Sequence, residues 1–304
     1  MPANSLRLAL SLAAVIALAS CGGGTSQIEP FAASRYIALG DEMSAFTADG
    51  LKYTTNGLNT DKTAVDCNVN PLWIQTVALV YGFGFAQCPV GTGDQKGLTR
   101  AALGAKASDL VIQVDAQVAA GGFTDLDLVT VLVGMNDVVE LFDRYPAEDA
   151  DDLKAIARQR GVVIAKQVNR MVNLGAKVIV STVPDIGVTP YGVAKGSAGA
   201  KLLAQLSDEM NGRIRANILN DGRFVGLVLA DELTQAAVRS PSSYGFVNAT
   251  TPACASALPN CTTATLVTDA SAETWVWADN LRMATGLHRR LGALAESRAR
   301  TNPF

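Results

Sequence analysis

Tyr36-Ile37-Ala38-Leu39-Gly40-Asp41-Glu42-Met43-Ser44 is the stretch on which the reading of the fold turns. Its first four residues are apolar without alternation, as in a strand covered on both faces, and a glycine ends the run where polar residues begin. The same figure recurs along the chain. Residues 127–133 (DLVTVLV) end at Gly134, residues 176–182 (AKVIVST) stop short of Pro184, and residues 223–230 (RFVGLVLA) form the last such run. Helical spacing fills the intervals. Val111, Val114 and Val118 share a face before the second run. Ile164, Val168, Met171 and Val172 share one before the third, with Gly175 as its stop. Leu202, Leu206, Met210, Ile214 and Ile218 precede the fourth, and Leu287, Leu291, Leu294 and Ala295 mark a final helix. Strands alternating with helices predict a three-layer α/β/α sandwich around a doubly wound, mostly parallel sheet. Neither an internal repeat nor a second-domain linker interrupts it, and residues 239–274 read as a long loop rich in Ser, Thr, Ala and Pro.

The chain has 304 residues with 25 Lys and Arg against 28 Asp and Glu, a formal net charge of -3. No Lys/Arg run offsets that balance, which argues against a nucleic-acid partner. Upstream of the first strand the sequence changes character. Arg7 is followed by an almost wholly apolar stretch over 9–19 and then by Ser20-Cys21-Gly22-Gly23-Gly24. A short basic region, an apolar core too short for a comfortable span of ~20 residues, and small residues at a cut make a secretory signal. Leu18-Ala19-Ser20-Cys21 resembles the bacterial lipobox, in which the cysteine is acylated. The expected organisation is a signal peptide over 1–20, a flexible tether over 21–34 and one domain over 35–304. Gly22 is not the aspartate that commonly retains such lipoproteins at the inner membrane, so this resemblance implies an exported protein on a lipid anchor, in the outer membrane of a Gram-negative bacterium.

Setting Cys21 aside leaves Cys67, Cys88, Cys254 and Cys261. Four cysteines in an exported chain suggest two disulfides, with three possible connectivities. Proximity favours Cys67–Cys88 and Cys254–Cys261. A zinc site competes, but no Cys-x-x-Cys spacing occurs. His288 is the one histidine. That excludes a His-rich metal site and obliges any Ser-His-Asp mechanism to use this residue. No metal or cofactor is expected.

In open α/β sheets ligands bind beyond the carboxyl ends of the strands. Those ends carry Gly40-Asp41-Glu42 and Gly134-Met135-Asn136-Asp137, with Ala102-Leu103-Gly104-Ala105 between them and Asp279-Asn280-Leu281-Arg282 near the C-terminus. The order of these blocks resembles the GDSL or SGNH family of esterases and lipases, whose pattern is Gly-Asp-Ser, a glycine in a small-residue turn, Gly-x-Asn-Asp and a late Asp-x-x-His. The resemblance spans about residues 35 to 298 and implies that family's fold, with a flavodoxin-like strand order. It assigns oxyanion donors to the backbone near residue 42, to Gly104 and to Asn136, and the acid that orients the base to Asp279.

At the two remaining positions this chain departs from the pattern. Glu42 stands where the nucleophilic serine would be and Arg282 where the basic histidine would be. A carboxylate is a poor acyl acceptor, and arginine, with a pKa above about 12, cannot serve as a base. Ser44 and His288 are the only substitutes. They read as a helix-start or surface serine and a hydrogen-bonded, half-buried histidine with a structural role. Glu42 with Asp279 as a glycosidic acid and nucleophile is opposed by Arg282, which should keep Glu42 ionised. A Glu42–Arg282 ion pair, with Arg282 shared by Asp279, is the expected arrangement. Asp41 and Asp137 read as structural, and Trp275 and Trp277 as core. The functional expectation is a lipid-anchored protein of this fold without ordinary ester hydrolysis, a pseudoenzyme whose cleft takes a small ester, acyl or glycan ligand. The alternative is an active esterase or lipase-like hydrolase with displaced catalytic residues.

Overall fold

The computed structural model describes residues 31–302 and 304, so the signal segment and Cys21 lie outside the described residues. Five strands form one sheet: β1 (Arg35–Gly40), β2 (Gly97–Thr99), β3 (Asp127–Leu132), β4 (Lys177–Ser181) and β5 (Val225–Val228). Their order is β2-β1-β3-β4-β5, and every pairing is parallel. The strand order reverses direction between β1 and β3, the position at which such sheets open a crevice. Helices α1 (Trp73–Val80) and α8 (Thr285–Thr301) pack on each other. Helices α2 (Ala107–Ala119), α4 (Ala150–Asn173) and α6 (Gly196–Asn217) form a second packed group, α4 touching both others. Shorter helices α3 (Met135–Asp143), α5 (Pro190–Ala194) and α7 (Ala230–Arg239) follow strands or turns. The sandwich and the flavodoxin-like order expected from the sequence are the ones found.

Gly40 explains how β1 ends. Its φ is +125°, and a Cβ there would lie 1.9 Å from the carbonyl oxygen of Leu132 on β3. Only glycine permits that approach. The Gln113 side chain clamps both backbone groups of Gly40, accepting from its N–H at 2.7 Å and donating to its carbonyl at 2.9 Å.

This clamp also corrects the expected face of α2. Ala107, Leu110, Gln113, Val114 and Gln117 are its buried side chains, whereas Val111 is half-buried and Val118 exposed. Two glutamines face inward because their amides bond backbone groups, Gln113 accepting from the buried Gly40 N–H and Gln117 donating to the Gly122 carbonyl. On α8, Leu287, Leu291 and Ala295 are buried as expected, but Leu294 is exposed. Strand β5 stops short of the end of its apolar run, 223–230, because α7 takes over at Ala230. The edge strand β2 shows no apolar run, since Leu98 points to solvent. Both disulfides form, Cys67–Cys88 and Cys254–Cys261. Trp275 and Trp277 are buried.

Candidate functional site

Four segments meet beyond the carboxyl ends of β1, β2 and β3. After Gly40, the Asp41 carboxylate accepts from the N–H of Met43 at 3.0 Å and starts a short 3-10 turn, Glu42–Ser44. The loop after β2 is tied to the same strand end by the N–H of Ala102, which donates to the Gly40 carbonyl at 3.1 Å. Gly104 in that loop has a φ of +75°, which turns its N–H back toward the sheet at little steric cost to glycine. Asn136 sits in the first turn of α3, which starts directly after β3. The fourth segment is the turn before α8. There Asp279 Oδ1 accepts from the N–H groups of Leu281, at 2.8 Å, and Arg282, at 2.6 Å.

The Glu42 side chain lies at the centre and is wholly buried. Its Oε2 accepts from the Gly104 N–H and from Asn136 Nδ2, both at 2.9 Å. Its Oε1 accepts from Arg282 Nε at 3.0 Å and Nη2 at 2.6 Å. An ionised carboxylate offers about four acceptor positions, and four N–H groups occupy them here. Arg282 Nη1 reaches Asp279 Oδ2 at 2.7 Å, so the guanidinium bridges two acids. Burial opposes the charge on Arg282, but the Asp279 and Glu42 carboxylates outweigh it and raise its pKa above the ordinary arginine value. Burying a carboxylate is costly, and here a guanidinium and two further donors offset that cost.

The two donors that the resemblance names, Gly104 and Asn136, therefore do converge on one point. The point is occupied by the side chain of Glu42 itself. Glu42 and Asp279 do not form a two-carboxylate pair, because Arg282 stands between them and engages both. Neighbouring acids brace the loops. Asp137 accepts from the Ala107 N–H at 2.9 Å and from Arg160 at 3.1 Å, and burial pushes its pKa up to about 6. Burial, and then the charge of Glu42, raise Asp41 well above the ordinary carboxylate range.

Ser44 and His288 are not brought together. Both are wholly buried, so Ser44 is not a surface serine and His288 is not half-buried, and both serve Trp73, whose indole and backbone need acceptors in the core. Ser44 Oγ accepts from the Trp73 indole N–H at 3.1 Å, and His288 Nδ1 accepts from the Trp73 backbone N–H at 3.4 Å. Burial drives the His288 pKa down to about 3, with Lys52 adding to the effect. Among the described residues no hydrogen bond links Ser44 to His288, or either to the Glu42 cluster through a side chain. The sequence reading missed Trp73, which organises this second cluster, and Lys52, whose buried ammonium donates to the carbonyls of Cys67, Val69 and Asn70 at 2.7–2.8 Å. Nothing in the local pattern distinguishes Lys52 from a surface lysine, since its partners arrive from a loop that the Cys67–Cys88 bridge closes.

Among the described residues no group of three or more His, Cys, Asp and Glu side chains is placed to hold a metal ion. A cavity of about 760 Å³ lies beside β5, α7 and α8, lined by Leu229, Leu233, Tyr244, Arg290 and Leu294, and none of the Glu42 cluster borders it.

The profile of the family described as GDSL-like Lipase/Acylhydrolase matches residues 48–284. That span begins just after the Glu42 turn and includes Gly104, Asn136, Asp279 and Arg282. No curated protein sequence matches. Similar solved structures include an acetyl xylan esterase, AlAXEase, at 14% identity over 86% of this chain and 98% of that one, with a TM-score of 0.45. TesA is 12% identical over 87% of this chain and 97% of that one, with a TM-score of 0.41. A lipase/acylhydrolase from Enterococcus faecalis is 16% identical over 89% and 98%, with a TM-score of 0.42.

Proposed function

The chain belongs to the GDSL-like lipase/acylhydrolase family, and from that premise we propose that this member no longer hydrolyses ordinary esters but keeps its cleft for binding, on a lipid-anchored exported domain. The observation that carries the reading is the position of the Glu42 carboxylate. It stands where the family pattern has a nucleophilic hydroxyl, and it takes the Gly104 and Asn136 donors that an ester oxyanion would need. Arg282 stands at the base position and is held by two acids, so no group there accepts a proton at neutral pH. Ser44 offers no replacement, because its hydroxyl is buried under Trp73 and touches no base. Ligands consistent with the family are a small ester, an acyl group or a glycan, bound above the filled donors.

The decisive test is turnover of short activated esters together with labelling by a fluorophosphonate probe. Wild type is expected to show neither above a heat-unfolded control. Glu42→Ser with Arg282→His is expected to gain activity on the order of 10²–10⁴-fold over that background, the range a positioned base contributes, while each single change stays inert. Wild-type turnover that disappears in Ser44→Ala or His288→Ala would establish the displaced-residue hydrolase instead.

The anchor is proposed from Leu18-Ala19-Ser20-Cys21 and the glycines that follow. A Gram-negative outer-membrane location follows from Gly22 in the same resemblance. Palmitate should label wild type and not Cys21→Ser; equal label in both would remove the anchor.

A further inference from the structure

We infer that Gly104, Asn136 and Arg282 form a carboxylate-binding cradle that Glu42 fills as a tethered ligand, and that the cradle takes a free short-chain carboxylate once that side chain is cut back. The inference rests on the reading of Glu42 given above and goes further, because it names the ligand class that the donors select. Among the described residues, every N–H that reaches the Glu42 carboxylate comes from these three. Gly104 N and Asn136 Nδ2 reach one carboxylate oxygen, and Arg282 Nε and Nη2 reach the other. The first pair is neutral and the second carries a full charge, so the set matches a planar monoanion with two oxygens.

The cradle does not depend on Glu42 for its shape. Asp279 holds Arg282 from the far side, through Nη1 and through the backbone N–H. Asn136 has a second anchor in the Ala105 carbonyl at 3.2 Å. The Gly104 loop is tied to Gly40 through Ala102 and to α3 through the bond from Ala107 to Asp137. Removing the Glu42 carboxylate thus leaves an arginine with a single remaining acid and two donors facing an empty space.

Glu42→Ala removes Cγ, Cδ and both carboxylate oxygens, which is the heavy-atom skeleton of acetate. Acetate is therefore the probe that fits the space atom for atom. In wild type it has no entry, because an attached carboxylate acts at an effective concentration in the range of ~1 mM or far above and excludes a weak free competitor.

The experiment measures melting temperature and binding heat for wild type, Glu42→Ala and Glu42→Gln against sodium acetate, with sodium chloride at equal ionic strength as control. Glu42→Ala is expected to gain a saturable rise in Tm from acetate and none from chloride. Wild type and Glu42→Gln are expected to show none, since their side chains fill the space. Adding Asn136→Ala or Arg282→Ala to Glu42→Ala should weaken acetate binding by about tenfold or more. Equal responses in Glu42→Ala and wild type, or an acetate effect untouched by Asn136→Ala and Arg282→Ala, would overturn the cradle. If Glu42→Ala folds only when acetate is present, the cradle is supported. If it fails to fold even in acetate while Glu42→Gln folds, the donors do not accept a free carboxylate and the inference is wrong. Ester turnover is read separately. Acetate binding with wild-type turnover would sink the pseudoenzyme reading alone, and inert wild type without acetate binding would sink the cradle alone.

Discussion

Two clusters lie a few residues apart at the start of this domain and at its end, and they handle their polar groups in opposite ways. In the first, Glu42 and Arg282 carry opposite charges, and the charges satisfy each other beyond the carboxyl ends of the strands. In the second, Ser44 and His288 are the residue types that acyl transfer uses, yet both are neutral supports for the indole and backbone of Trp73. The contrast teaches that a hydroxyl and an imidazole become a catalytic pair only when they touch each other and open space. Here the residues at the strand ends have the wrong chemistry, and those with the right chemistry are packed around Trp73.

The largest expected effect tests the neutral cluster. With its folded pKa near 3 against about 6.5 unfolded, His288 contributes stability that is complete above pH 6.5 and is lost as pH falls toward 3, up to about 4–5 kcal/mol. Asp137, raised to about 6, works in the other direction, favouring the fold in its protonated form below that pH. Comparing urea unfolding of wild type and His288→Gln from pH 7 to 4 isolates the histidine term. Wild type should lose stability more steeply than the variant. Because the chain has one histidine, its imidazole NMR signal is unambiguous. A midpoint between pH 6 and 7 in the folded protein would show that His288 is solvated, and the comparison would collapse.

Next in size is the charged cluster. Arg282→Ala leaves the buried Glu42 without its counter-ion and should cost about 2–4 kcal/mol. The same change made in Glu42→Gln should cost less, with a coupling of about 1–3 kcal/mol in the double-mutant cycle. Because Glu42 is buried, 1 M salt should leave that coupling largely intact. Additive single effects would mean the two residues only neighbour each other.

The smallest effect sharpens the comparison from the other side. Ser44→Ala should cost about 1–2 kcal/mol by leaving the Trp73 indole N–H without an acceptor, with no change in any catalytic readout. A loss near zero would show that water replaces the hydroxyl, and hence that this cluster is not closed.

Much of the scaffold was legible before any coordinates. The apolar runs 36–39 and 127–133 have no alternation because their strands are covered on both faces, and they became β1 and β3. The edge strand β2 was not, because only three residues pair and its leucine faces outward. The buried face of α2 differs from its apolar spacing for a related reason. Apolar spacing finds helix faces that bury carbon, and this one buries Gln113 to hold the backbone of Gly40 and Gln117 to hold the turn at Gly122 that follows the helix.

At the site, the residue types alone determined that a carboxylate and a guanidinium replace the hydroxyl and imidazole of the family pattern, and opposite charge made their pairing the expected outcome. Local sequence also determined the two short disulfide loops. What the tertiary structure decided is how the Glu42 carboxylate divides its oxygens. Its partners Gly104, Asn136 and Arg282 lie 62, 94 and 240 residues away along the chain. The parallel sheet gathers their loops at one end, and the positive φ of Gly104 turns its N–H inward. Composition and spacing carry charge and periodicity. The direction of a hydrogen bond across such separations is set only when the strands are paired and the crevice is closed around it.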